Sequence, residues 1–309
     1  MFIGPGGEAM SERFARGRRT GLVLLSCYVA VACDSPLTPA VAYESSHSSI
    51  AASIRADGTA LQILTRGGAP AWSPAGDEIA FARDGAICLI RTDGTGERCV
   101  AHGFDPTWSP DAAQLVFASV DGIAIVRADG SAHRLLVPRH FNTSANYASD
   151  MGVGAPTWSP DGSRIAFEYY GDGETMPSQL FVVSVSGGMP MRVTNTGSRI
   201  YGERYPTWSP DAAQLTFWSL GYGIGVVSSS GGAPRSVYAE PVMSYQVRPR
   251  FTPDAQRIAF TINRDGWSAP SIWTVAVIGG GPLLLLHDAA DPSWSPDGAH
   301  FAFVRLEKP

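Results

Sequence analysis

The sequence predicts an all-β fold, a six-bladed β-propeller built from four-stranded antiparallel blades. Three observations carry that expectation. An aromatic phrase recurs six times at spacings of 36, 50, 50, 43 and 43 residues, each copy runs into a short apolar segment, and a glycine-bearing turn recurs between copies. A period of this size marks a solenoid, a propeller or an array.

The six copies read Ala71-Trp72-Ser73-Pro74-Ala75-Gly76, Thr107-Trp108-Ser109-Pro110-Asp111-Ala112, Thr157-Trp158-Ser159-Pro160-Asp161-Gly162, Thr207-Trp208-Ser209-Pro210-Asp211-Ala212, Arg250-Phe251-Thr252-Pro253-Asp254-Ala255 and Ser293-Trp294-Ser295-Pro296-Asp297-Gly298. A proline sits two residues before each aromatic, as at Pro106 and Pro292. Ser-Pro-Asp-Gly is turn chemistry: proline presets φ, and the small residue closes the corner. The runs that follow include Ile79-Ala80-Phe81, Ile165-Ala166-Phe167 and Ile258-Ala259-Phe260. They are too short for helices, and their weak alternation suits strands buried on both faces. The aromatics are expected to start the innermost strands and to pack between blades.

Between these hairpins lie Asp57-Gly58, Asp93-Gly94, Asp129-Gly130, Gly187-Gly188, Gly231-Gly232 and Gly279-Gly280. Asp-Gly and Gly-Gly adopt the positive φ of tight hairpin turns. Each repeat thus carries two hairpins, the four strands of a propeller blade. The two hairpin types are out of phase. The chain opens on a glycine-turn hairpin (50–64) and finishes on a tryptophan hairpin (293–305), so the N- and C-terminal hairpins should share one blade and close the ring. Closure removes the open edges that a repeat array otherwise exposes.

The Trp-Ser-Pro-Asp-Gly hairpin, followed by Ile-Ala-Phe and a glycine-turn hairpin, resembles the WD-like repeat of TolB-type β-propellers. The same repeat occurs in the propellers of tricorn and prolyl oligopeptidase-type peptidases. The resemblance covers about residues 50–309. It implies a propeller fold and leaves function open, because one scaffold hosts many roles. TolB carries a further N-terminal α/β domain, whereas a leader-like segment and a short Ser-rich stretch precede residue 50 here. The resemblance is therefore to the propeller alone.

Three segments are expected: a leader over 1–33, a flexible tether over 34–49 and the propeller over 50–309. In the leader, Arg13, Arg16, Arg18 and Arg19 precede an apolar stretch over 21–32, the length of a signal h-region. It ends in Ala30-Val31-Ala32-Cys33, which resembles a bacterial lipobox with Cys33 as the lipidated residue. Simple signal cleavage after Ala32 is the alternative. The location expected is therefore the periplasm or a membrane-anchored site in the envelope, with membrane contact only through Cys33. Cys88 and Cys99 are symmetric about the Asp93-Gly94 turn and suit a cross-strand disulfide, which an exported compartment permits. A net charge of −5 without basic runs argues against nucleic acid.

The repeated tryptophans and aspartates are scaffold, so a site should lie where the symmetry breaks. The loops entering each inner strand and those after each apolar run emerge on one face around the channel. Residues just before the repeated prolines ring its mouth: Ala69, Asp105, Ala155, Tyr205, Arg248 and Asp291. With His140, Tyr147 and Asp150 from the longest entry loop, and with Arg204, they make a candidate binding surface rich in Tyr and Arg, as interfaces are. The function expected is a monomeric scaffold for an envelope protein, a peptide or a cell-wall component. No Gly-x-Ser-x-Gly elbow exists, and no catalytic residue, metal or cofactor is expected. The alternative is a metal-dependent hydrolase or lyase at the same mouth, with His102, His140 and His287 converging on Asp105 or Asp291.

Overall fold

The computed structural model describes residues 49–55, 61–140, 152–170, 178–194, 202–219, 223–239, 247–262 and 270–306. The leader, nearly all of the tether and the Asp57-Gly58 turn lie outside the described residues. Within them the chain forms strands only. It begins with β1 (Ser49–Arg55) and β2 (Gln62–Arg66). One sheet follows as β3 (Gly68–Trp72), β4 (Glu78–Arg83), β5 (Ala86–Arg91) and β6 (Arg98–His102). The next is β7 (Phe104–Trp108), β8 (Gln114–Ser119), β9 (Gly122–Arg127) and β10 (Arg134–Pro138), then β11 (Gly152–Trp158), β12 (Arg164–Tyr170), β13 (Gln179–Ser184) and β14 (Met191–Arg192). Two more are β15 (Arg204–Trp208), β16 (Gln214–Ser219), β17 (Gly223–Ser228) and β18 (Arg235–Tyr238), and β19 (Arg250–Phe251), β20 (Arg257–Ile262), β21 (Ser271–Ala276) and β22 (Leu283–Leu286). Last come β23 (Ala289–Trp294) and β24 (His300–Leu306).

Each consecutive set of four from β3 to β22 is an antiparallel sheet in sequential order, and the chain ends make another in the order β2-β1-β24-β23. β1 pairs with β24 along its whole length, from Ser49 opposite Leu306 to Arg55 opposite His300. The fold is an all-β propeller of four-stranded antiparallel blades. The innermost strands neighbour one another in turn, β3 beside β7, β7 beside β11, β11 beside β15 and β15 beside β19. The round is completed by β20 beside β23 and β23 beside β3.

The hydrophobic cores explain why the sheets stack. The middle strands are buried on both faces, as their unbroken apolar runs require. Phe81, Phe117, Phe167, Phe217, Phe260 and Phe303, the last residue of each repeated run, are all buried. Fully burying one such ring stabilises by roughly 1.5–3 kcal/mol. Every apolar cluster straddles two neighbouring sheets: Leu89 with Trp108 and Phe117, Ile125 with Phe167, Leu180 with Phe217, Val226 with Phe260, Ile272 with Phe303, and Phe81 with Ala302. The last of these joins the shared sheet to its neighbour.

The tryptophans end the innermost strands instead of starting them, because the Ser-Pro turn follows directly. Their packing role between blades is as expected: the Trp108 and Trp208 indole N–H groups each donate across a blade boundary, to the Ala71 and Thr157 carbonyls at 3.1 Å. The turn after each aromatic is closed by a backbone bond such as Gly162 N–H to the Ser159 carbonyl, 2.9 Å. The Ser159 hydroxyl donates to Asp161 and accepts from the Arg164 amide at 2.9 Å, while Asp161 also accepts from the Ser163 amide. Those bonds, the serine hydroxyl's first, hold the Asp161 carboxyl down at about 2. The first copy has Ala75 at the aspartate position, and Asp77 takes over as acceptor for the Ser73 hydroxyl at 2.8 Å. Glycine-turn amides then tie back to this turn, as Val185 to Ser163 and Val277 to Gln256, both 3.0 Å. Away from the channel, Cys88 on β5 sits opposite Cys99 on β6, and the two sulfurs are bonded.

The sixth residue of the phrase is always left-handed: φ is 77° at Gly76 and 72° at Gly162, but also 58° at Ala112 and 57° at Ala255. An L-residue pays about 1–2 kcal/mol there, partly offset by the larger unfolded-state freedom of glycine. Ala112→Gly and Ala255→Gly should therefore each raise stability by about 0.5–1 kcal/mol in urea denaturation, and Gly162→Ala should lower it. Loss of stability in both alanine-to-glycine variants would contradict this account of the turn.

Candidate functional site

The repeated proline creates the mouth of the channel. It cannot donate to the ladder, and the pairing register slips around it in β3, β7, β11, β15 and β23. The residue before the proline is left-handed in those five strands, with φ of 50° at Ala69, 52° at Asp105, 44° at Ala155, 55° at Tyr205 and 53° at Asp291. The bulge lets this residue leave the sheet, and Ala69, Asp105, Ala155 and Tyr205 line one central cavity together with Arg248. Below them the residues after the prolines, Thr107, Thr157, Thr207 and Arg250, line the same cavity. Its volume is about 30 Å³, room for little more than one water molecule.

The upper ring is occupied by its own ion pairs. Arg248 donates from Nη1 to Asp105 Oδ1 at 2.7 Å, and its Nε lies 3.4 Å from Asp291 Oδ1. The three side chains are only 18%, 19% and 12% exposed. Asp105 and Arg248 are 143 residues apart in sequence, on sheets separated by two others in either direction round the array. The guanidinium of Arg248 also stacks over Tyr205, 4.9 Å from the ring centre. Burial alone would pull Arg248 down, but Asp105 and Asp291 outweigh it and hold its pKa well above the ordinary arginine value. Burial raises the Asp291 carboxyl, against the pull of Arg248, and pushes the Tyr205 phenol up to about 12.

A second polar cluster adjoins it. Glu168 on β12 is fully buried and accepts the Tyr205 backbone N–H at 2.8 Å and a bond from Tyr170. Arg204 stacks over Tyr170 at 5.1 Å and faces Glu168 electrostatically. Burial, the largest influence, raises the Glu168 pKa despite Arg204 and these hydrogen bonds.

Five sequence-predicted residues thus come together: Asp105, Arg204, Tyr205, Arg248 and Asp291. They bond largely to one another, so the expected open recognition ring is in fact a plug whose outer surface is part-exposed. His140 is exposed beyond β10, in the segment leading toward β11. Tyr147, Asp150 and Cys33 lie outside the described residues. His102, His140 and His287 are exposed, and among the described residues no three His, Cys, Asp or Glu side chains gather as metal ligands. The sequence places Glu168 in a loop of the channel face, not as a buried hub, and does not single out Arg250. The signal for Arg250 was present: the fifth copy reads Arg-Phe where three others read Thr-Trp.

No family model and no curated protein matches the chain. Solved structures do. A TolB protein from Agrobacterium tumefaciens superposes with a TM-score of 0.67 at 19% identity, over 85% of this chain and 100% of that one. The fold is that of a TolB-like propeller. TolB from Acinetobacter baumannii gives 0.62 at 16% identity, over 80% of this chain and 66% of that one. An oligogalacturonate lyase in complex with manganese gives 0.51 at 12% identity, over 74% and 67%. At these identities the likeness is one of fold.

The raised pKa of Glu168 gives a signed pH dependence. A carboxyl raised on folding favours the native state below its unfolded value, 4.5, and that contribution is lost as pH rises through the folded value. Glu168→Gln keeps an acceptor for the Tyr205 amide and removes the ionisation. Its melting temperature relative to the parent should therefore rise between pH 4 and pH 8; a difference that stays flat would contradict the burial of an ionising Glu168.

Proposed function

We propose that the chain is an exported, lipid-anchored, six-bladed propeller that binds a protein or peptide partner in the bacterial cell envelope through the face carrying the channel mouth. The observation that carries this reading is the mouth itself. It is where the repeat symmetry fails, and where Arg248, Tyr205, Arg204 and Tyr170 are stacked in fixed orientations with part of their surface open. Arg and Tyr held rigid before binding lose little entropy on contact, which is why they dominate interface energetics. The plug narrows the channel to a cavity of about 30 Å³ among the described residues, which favours recognition on the face. His102 ends β6, and His140 and His287 follow β10 and β22, each in the direction of the next innermost strand.

The leader ending at Cys33 would tether the propeller to a membrane through residues 34–49, as a monomer facing the envelope space. A cell-wall component is the other ligand class that fits the same polar, aromatic surface. Membership of the envelope assemblies that TolB names suggest is part of this proposal.

The test avoids the ion pairs, whose loss would disturb the fold. Mild crosslinking and co-purification from envelope fractions should capture a partner with the parent chain. His102→Ala combined with His140→Ala and His287→Ala should lose that partner. Arg91→Ala with Arg127→Ala, at the far ends of β5 and β9, should keep it. Equal capture by both variants, or loss only in the second, would refute the mouth as the binding face.

A further inference from the structure

Six residues follow the repeated prolines, Ala71, Thr107, Thr157, Thr207, Arg250 and Ser293, and four of them, Thr107, Thr157, Thr207 and Arg250, line the cavity beneath the plug. Five are small and neutral, and Arg250 alone is charged. No carboxylate lies in ion-pair range of Arg250 among the described residues, and its buried Nε has no hydrogen-bond partner. The two aspartates nearest in charge, Asp105 and Asp291, both pair with Arg248 and also act on Arg250 through space, and Asp291 Oδ1 is itself buried without a hydrogen-bond partner. A guanidinium carries five N–H donors and no acceptor, and at Arg250 the Nε donor is the one left without a bond. An unmade bond to a buried charged donor is costly, which means an acceptor is required here.

The other lining groups fit the same demand. The Thr107 hydroxyl is committed, donating to the Pro156 carbonyl at 2.5 Å. The Thr157 and Thr207 side chains line the cavity with Arg250, and a threonine hydroxyl can rotate to donate. The cavity narrows to about 30 Å³, the space of one small ion or water molecule. Burial, then the neighbouring Arg248, lowers the pKa of Arg250, which is the direction that a bound negative charge would reverse.

We propose that the channel binds one small monovalent anion of chloride size, held by Arg250 and the hydroxyls of Thr157 and Thr207. The site is distinct from the partner-binding face and does not depend on it. The anion completes the lower ring and supports the plug from beneath.

Thermal and urea unfolding of the whole chain at constant ionic strength, exchanging gluconate for chloride or bromide in the millimolar range, tests this. Gluconate is too large to enter. Chloride should have little effect well below its dissociation constant, and above it each tenfold increase should raise the folding equilibrium constant about tenfold. Crystals grown in bromide should show an anomalous peak beside Arg250. Arg250→Thr installs the residue that three other repeats carry at this place, so it should fold and lose the halide dependence; Thr157→Val with Thr207→Val should weaken it. Stability indifferent to halide in the parent chain, no bromide peak, or a halide effect retained in Arg250→Thr would each overturn the proposal in favour of a water-filled ring.

Discussion

Ring closure is the constraint on which the rest of the structure depends. A sheet with two apolar faces is stable only when both are covered, and each middle strand here is buried on both sides. Every sheet therefore needs a neighbour on each face, including the first and the last. The pairing of β1 with β24 meets that need by building one sheet from both ends of the repeat array. The cluster joining Phe81 and Ile79 to Ala302 is the packing that results. Capping a linear array would have required a polar outer face at each end instead.

Closure also creates the site. The residues on either side of the repeated prolines come from strands far apart in sequence, and a ring brings them to within bonding distance over a central channel. Symmetric filling of that channel would place like groups against like. The chain instead breaks its own repeat there, with Asp105, Tyr205, Arg248 and Asp291 above and Arg250 among threonines below. The bridge across the channel neutralises charges that would otherwise be desolvated without a partner. Removing one member of such a pair leaves the other buried and uncompensated, which typically costs about 3–5 kcal/mol. A mouth built this way is pre-organised, and among the described residues the chemistry it presents lies on its outer face.

The frame was legible in the sequence because repetition averages out local ambiguity. No single Ile-Ala-Phe run distinguishes strand from helix, but six of them after six Ser-Pro turns do. The register of Cys88 with Cys99 followed from their symmetry about one turn. The position of the tryptophans was misjudged, since a turn that follows the aromatic directly makes it the end of its strand. The site was legible in part. The pre-proline residues Asp105, Tyr205, Arg248 and Asp291 do lie together, but a sequence does not say whether gathered charges face solvent or satisfy one another. That depends on the diameter of the ring and on the left-handed bulges at Asp105 and Asp291, which aim both carboxylates at Arg248. Glu168 reads from sequence as part of the channel-face loop after its apolar run, because a glutamate ending such a run looks like the start of a loop, and only the fold buries it.

Asp105 and Arg248 meet only if the ring is closed and the channel is bridged, so their energetic coupling reports on both. A double-mutant cycle with Asp105→Asn, Arg248→Met and the combined variant, followed by urea denaturation, measures it directly. A bridged channel should give a coupling of at least about 1 kcal/mol, with the double variant less destabilised than the sum of the single ones. Single-variant effects that add to within about 0.3 kcal/mol would contradict it, because independent groups on separate sheets would behave that way.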